Sequence, residues 1–372
     1  MAVDSSIQRI SRLTPLGAIL ALIQSRVGAV TPRKCALAEA HGCTLAADVV
    51  ASERPPHPIA LRDGYAVAAA TIADAGPYAP VPLARKPQRL DVGEPLPSGA
   101  DAIAPFDAIS LREKDHAEAI AAVSPGEGVL PAGGDATART PLRRAGERLR
   151  ALDIAVLAGA GITEVTVRAP RLRVVCGSPA QTPLLGAALA MLVGLVSKSG
   201  GTVLGEAGPL DQALADEQAD AVIAIGGTGS GRNDNSVRTL SRLGRVEAHG
   251  IAVSPGETAA FGFAGARPVL LMPGRVDAVL AVWLLIGRHL TAKLAGGSAE
   301  EAPAMLPLKR KVTSTIGLAE LIPVGCAGAM AEPLASGYLS LTALTRSDGW
   351  IVVPADSEGF AAGTQVAVRP WP

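Results

Sequence analysis

Residues 224–236, AIGGTGSGRNDNS, set glycines at 226, 227, 229 and 231 beside the hydroxyls of Thr228 and Ser230 and the carboxylate of Asp234. Glycine admits positive φ and lets backbone approach a ligand closely, so successive amides can face one anion. A helix starting after Asn235 adds partial positive charge. The spacing is neither GxGxxG nor a P-loop, which ends in Gly-Lys-Ser/Thr, and a glycine-rich turn without a ligand is the bland alternative. Two more carboxylates sit next to glycine, Asp63 in RDGYAV and Asp135 in PAGGDATA. Each can serve its turn as a cap. Arg275, after Pro273-Gly274, has a planar fork suited to an oxyanion or to simple exposure at a helix start.

These groups need elements to hold them. RLRVVCGS, TVLGEA and ADAVIAI read as buried strands, with helix-like PLLGAALAMLVGLVSKSGG and LDQALADEQ between them. That alternation predicts a mainly parallel sheet covered on both faces, with ligands beyond the carboxyl ends of its strands. The glycine loop falls at such an end, and so does Pro273-Gly274. Ser254 to Thr258 form a third turn, and the three are expected to converge from one sheet. Upstream, Pro15 to Val27 have helical spacing with Thr14 as N-cap, giving a helical start. A proline-rich stretch with short strands follows from about Thr71 to Gly134. Residues 151–167 read as a helix and then a strand, and a small β domain follows the GGSAEEAP linker.

Composition removes several function classes. The 34 basic and 34 acidic residues cancel, so no global field draws nucleic acid or anionic membrane. Aromatics at 3% offer no stacking surface for single strands. Cys35, Cys43, Cys176 and Cys326 show no CxxC spacing, and the five histidines, His249 among them, form no HExxH pair. The N-terminus lacks a signal-peptide core, which reads as cytoplasmic. The apolar runs Leu184 to Val196 and Val276 to Leu290 read as too short for a bilayer, which needs about 20 residues.

Five segments in order resemble the molybdopterin molybdenumtransferase family, of the MoeA and gephyrin E-domain type. RDGYAV at 62–67 is similar to that family's MDGYAV, GEPLPSGADAI at 93–103 to TGAPLPxGADAV, and GGTGSGRND at 226–234 to GGVSxGxxD. VSPGET at 253–258 and LMPGRVDAVL at 271–280 stand where the family has ISPGKP-like and LPGNPVSA turns. The resemblance implies a multidomain α/β plus β fold. Its parts would be a helical N-terminal part (1–70 and 135–168), an inserted β-rich unit (71–134), an α/β molybdopterin-binding domain (169–300) and a C-terminal β-barrel-like domain (301–372).

It also implies insertion of molybdate into adenylated molybdopterin with magnesium-dependent release of AMP, by a homodimer. A molybdoenzyme or another cofactor-biosynthesis protein would be its partner. Asp63, Asp135 and Asp234 would be the catalytic acids, and Asp63 and Asp234 the magnesium ligands. Gly226, Gly227, Thr228, Gly229, Ser230, Ser254, Gly256, Gly274 and Arg275 would bind the pterin. The chain departs from the pattern at CGSPAQ (176–181), where the family carries acids, at Ser254 and Glu257, where it carries lysines, and at Gly229, where it carries serine. These departures imply the other reading, a non-catalytic molybdopterin carrier, chaperone or regulator.

Overall fold

The structure is a computed structural model and describes residues 8–112, 116–177, 182–205, 208–299 and 302–372. Residues 178–181, most of CGSPAQ, lie outside them. The chain divides into two compact units. One holds residues 1–47, 145–150 and 165–372, the other 48–144 and 151–164.

The second unit is built from short antiparallel pairings around small residues. Gly64–Val67 pairs with Arg89–Leu90 and Ala102–Ala104, and Ala117–Ala119 lies between Ile109–Leu111 and Val81–Leu83. Val67, Ile72, Ala102, Ala104, Ile109 and Ala119 fill its core. Helix Ala151–Gly159 belongs to it.

The first unit contains the predicted alternation. After helix α1 (Leu16–Arg26) come β1 (Arg171–Cys176), α2 (Pro183–Lys198), β2 (Thr202–Val203), α3 (Leu210–Ala215), β3 (Ala221–Ile225) and α4 (Ser236–Leu243). β4 (Arg245–His249), β5 (Ile251–Ser254), β6 (Ala260–Ala264), β7 (Arg267–Met272) and α5 (Val276–Val282) follow. Among the described residues one sheet runs β2-β1-β3-β7-β6-β4, with β6 antiparallel to both its neighbours and the other five strands parallel to one another. Its register aligns Cys176 with Ile225 and Ile225 with Met272. The turns at 177, 226 and 273 therefore leave one edge at one level. Apolar side chains of β3 and β7 alternate between two cores. Ile223, Ile225, Leu270 and Met272 pack with α2 and α5, while Val222, Ala224, Val269 and Leu271 pack with α3 and α4.

Three expectations need correction. Thr14 is not a helix cap: Thr14–Pro15 is a two-residue strand parallel to β5, and Pro15 precedes α1. The start of the chain is less helical than expected, because Arg33–Ala36 and Thr44–Leu45 are strands. β5 is absent from the six-stranded sheet. It joins Thr14–Pro15 to Ala319–Ala327 in a second sheet with Gly349–Val353, Gln365–Pro370 and Ala304–Pro307. The third turn thus comes from a different sheet, although it reaches the same place.

The last apolar run is also longer than the sequence suggested. Val276–Ala295 is a continuous helical stretch of 20 residues, π-helical at Trp283–Gly287, and long and apolar enough to cross a membrane by length and composition alone. Burial assigns it to the core, since Val279, Val282, Trp283, Ile286 and Leu290 are fully enclosed.

Candidate functional site

The glycine loop begins at the aligned carboxyl ends of β1, β3 and β7. Gly226 and Gly227 take φ of +87° and +76°, which a side chain would strain. Ser236, fully buried at the first position of α4, ties the strand ends together. Its Oγ lies 2.7 Å from the Gly226 carbonyl and 3.0 Å from that of Gly177, while the Gly177 amide donates to Ile225 at 2.8 Å. A Cβ on Gly227 would stand 2.3 Å from that Oγ, so this glycine is fixed by space as well as by φ.

Both other turns close on the loop. The Gly226 amide donates to the Met272 carbonyl at 2.8 Å, and a Cβ on Gly274 would sit 3.6 Å from the Gly226 Cα. Thr228 Oγ1 is 3.0 Å from Thr258 Oγ1 in the 254–258 turn. His249 at the end of β4 donates from Nε2 to the Thr228 carbonyl at 2.9 Å; since a carbonyl only accepts, Nε2 carries the proton.

Most of the expected pterin-binding residues therefore meet in one place, but several are already engaged. Thr228 is 1% exposed and its hydroxyl is hydrogen-bonded to that of Thr258, while Ser230 is exposed. Ser254 is buried at the end of β5, and Gly256 packs against α5, where a Cβ would meet Val282 Cγ2 at 2.6 Å. Arg275 directs Nε and one terminal nitrogen to the two oxygens of Asp277, at 3.0 and 2.5 Å, and lies over the Tyr338 ring. That hydrogen bonding pushes the guanidinium above its ordinary value despite partial burial. The fork expected to grip an oxyanion is occupied by a buried neighbouring carboxylate.

Two of the three acids accept main-chain hydrogen bonds. Asp234 Oδ2 accepts from the Gly231 amide at 2.8 Å, and a Cβ on Gly229 would come within 2.8 Å of the same oxygen. Gly229 thus lies directly against the Asp234 carboxylate. Asp63 Oδ1 accepts from the Val92 amide at 2.8 Å in the second compact unit. Asp135, exposed in that unit, is held through its main-chain amide to the Arg54 carbonyl at 2.9 Å. Among the described residues no three His, Cys, Asp or Glu side chains cluster together.

The helix N-terminus brings a further correction. The first-turn amides of Val237 and Arg238, expected to face an anion, donate to Gln8 Oε1 at 3.0 and 3.1 Å. Gln8 Nε2 reaches back to the carbonyls of Gly227 and Gly229 at 3.0 and 2.9 Å. The loop's own amides remain: among the described residues, those of Gly227, Thr228, Gly229 and Ser230 form no hydrogen bond, although Gly227 and Thr228 are buried. Buried N–H groups without an acceptor are rare, and four in succession form a concavity for an anion.

Comparison with known proteins fits this arrangement. The model for the MoeA N-terminal region (domain I and II) matches residues 3–161, that described as "Probable molybdopterin binding domain" matches 180–293, and that for the MoeA C-terminal region (domain IV) matches 305–371. The chain belongs to the MoeA family. Its fold is accordingly the MoeA-type multidomain fold, and its role lies in molybdenum cofactor biosynthesis. Molybdopterin molybdenumtransferase 2 of Mycobacterium tuberculosis is 26% identical, over 93% of this chain and 97% of that protein. Two structures of the molybdopterin biosynthesis MoeA protein from Pyrococcus horikoshii match 97% of this chain and 100% of theirs. Their identities are 24 and 25%, with TM-scores of 0.76 and 0.71. The matched molybdopterin-binding region contains the glycine loop and both turns that close on it.

Proposed function

We propose that this MoeA-family member binds molybdopterin by seating the pterin's phosphate on the amides of residues 227–230, and inserts molybdate into the adenylated pterin with release of AMP. The observation that carries the reading is the run of unspent amides at the aligned strand ends, bounded by Gly274 and by the 254–258 turn. Main-chain N–H groups fixed before the ligand arrives bind an anion with little reorganisation. Ser230, exposed, adds a hydroxyl donor. Arg232 follows it, exposed and without an ion-pair partner among the described residues, and is the cation best placed along the loop to meet the phosphate. We assign magnesium to none of these residues and derive no step through it. A homodimer, a cytoplasmic location and the four-part domain division follow from the family resemblance and belong to the same proposal.

The second reading is a molybdopterin carrier without turnover. It is favoured by the engagement of these groups within the protein: Asp63 accepts from the Val92 amide, Asp234 from the Gly231 amide, and Arg275 is bound to Asp277. Incubation with adenylated molybdopterin, magnesium and molybdate separates the two. AMP release with molybdenum in the pterin supports the transferase, binding without AMP supports the carrier, and absence of binding refutes both.

A further inference from the structure

We infer that Gln8 and His249 are positioning residues of the phosphate site, holding the carbonyls of the glycine loop to one side so that its amides are presented on the other. The inference rests on the phosphate reading given above. It comes from an account of the carbonyls of residues 226–229. Ser236 Oγ is 2.7 Å from Gly226 O; Gln8 Nε2 and the Ser236 amide donate to Gly227 O at 3.0 and 2.9 Å. His249 Nε2 donates to Thr228 O, and Gln8 Nε2 to Gly229 O, both at 2.9 Å.

In a trans peptide the C=O of one residue and the N–H of the next point in opposite directions. Fixing the carbonyls of residues 226–229 therefore turns the amides of residues 227–230 away from Ser236, Gln8 and His249. Those are the four amides that form no hydrogen bond among the described residues.

Gln8 suits the task because a primary amide carries two donors and an acceptor with two lone pairs. All are used: Nε2 on two carbonyls, Oε1 on the Val237 and Arg238 amides. The reverse orientation would set oxygen against oxygen and N–H against N–H, so the contacts fix the amide's orientation. Gln8 is 6% exposed, which leaves water little access to replace it. It also blocks the first turn of α4, leaving the loop amides, and not the helix end, to receive the phosphate.

The test titrates the full chain with molybdopterin, comparing wild type with Gln8→Ala, His249→Phe and His249→Gln. Far-UV circular dichroism and melting verify the fold, and the amide 1H–15N signals of Thr228, Gly229 and Ser230 are followed in parallel. His249→Phe, which removes one preorganising hydrogen bond, is expected to weaken binding by about tenfold, and Gln8→Ala, which removes two bonds to the loop carbonyls, by at least about tenfold. The three amide signals should shift before ligand is added. His249→Gln, which keeps an N–H donor, should restore most of the affinity.

His249→Phe does not touch the α4 cap, so it carries the test if Gln8→Ala fails to fold. Wild-type binding with undiminished affinity in folded His249→Phe overturns the positioning role and leaves the phosphate site standing. Failure of the wild type itself to bind overturns the reading beneath it.

Discussion

Gly227→Ala tests the loop's construction most sharply. At φ +76° an alanine carries the left-handed penalty, about 1–2 kcal/mol. Its Cβ would also lie 2.3 Å from Ser236 Oγ and 2.8 Å from the Gly177 carbonyl. Relief requires Ser236 to leave the Gly226 carbonyl, and a buried acceptor left unpaired costs about 1–3 kcal/mol. The total is about 2–5 kcal/mol.

Gly265→Ala is the matched control. Its φ is +61° with nothing within 4 Å of a Cβ, so the left-handed term of about 1–2 kcal/mol stands alone. In a Ser236→Ala background the closest contact disappears and the cost of Gly227→Ala should fall by about 1 kcal/mol or more, a coupling that a double-mutant cycle measures. Urea denaturation of the four variants and wild type supplies the free energies. Equal costs at 227 and 265, or strict additivity with Ser236→Ala, would refute the steric argument.

Three further predictions follow from the same contacts. Arg275→Ala should lower stability by about 1–2 kcal/mol in thermal melts, since it leaves the enclosed Asp277 carboxylate with the Leu339 amide while the arginine itself is half-exposed. It should change molybdopterin affinity little, and a large loss of affinity would show that the fork does hold ligand. Asp216 is kept below the usual carboxylate range first by hydrogen bonding to Arg173, so its contribution is present above the ordinary carboxylate value and is lost as pH falls through the depressed one. The stability difference between wild type and Asp216→Asn should therefore be constant near neutrality and vanish in strong acid; growth of the difference in acid would contradict this. Burial pushes the Cys176 thiol up, so it should alkylate slowly at neutral pH. Because Cys176 pairs with Ile225 just before the glycine loop, molybdopterin should slow the reaction further, and an unchanged rate by mass spectrometry would count against a ligand there.

The α/β part was legible because its strands are short Val/Ile/Ala runs ended by glycine, and that pattern specifies burial on both faces. β5 was not. IAVS reads as a buried strand whichever sheet receives it, and its partners at 14–15 and 319–320 are set by tertiary packing. The same pairing turned Thr14 from an expected cap into a strand residue. At the site, the loop was legible through its glycines, and Ser236 could have been found as the hydroxyl opening the following helix. Thr228 was visible as a hydroxyl, but its orientation toward Thr258 depends on the fold of a second turn. Gln8 gave no signal, because its contacts span more than 200 residues and nothing around it is periodic or charged in a way that marks a cap. The acids were ambiguous in the sequence for a related reason: Asp next to Gly suits a cation and a turn equally, and the bonds from the Val92 and Gly231 amides come from the fold.

The central claim is that the glycine loop holds the phosphate of molybdopterin. Its most direct test is equilibrium binding of molybdopterin and of its dephosphorylated form to the wild-type chain at one ionic strength. The account predicts that removing the phosphate weakens binding by at least about tenfold, since hydrogen bonds to an ionised acceptor are the strong ones. Equal affinity for the two forms would contradict it.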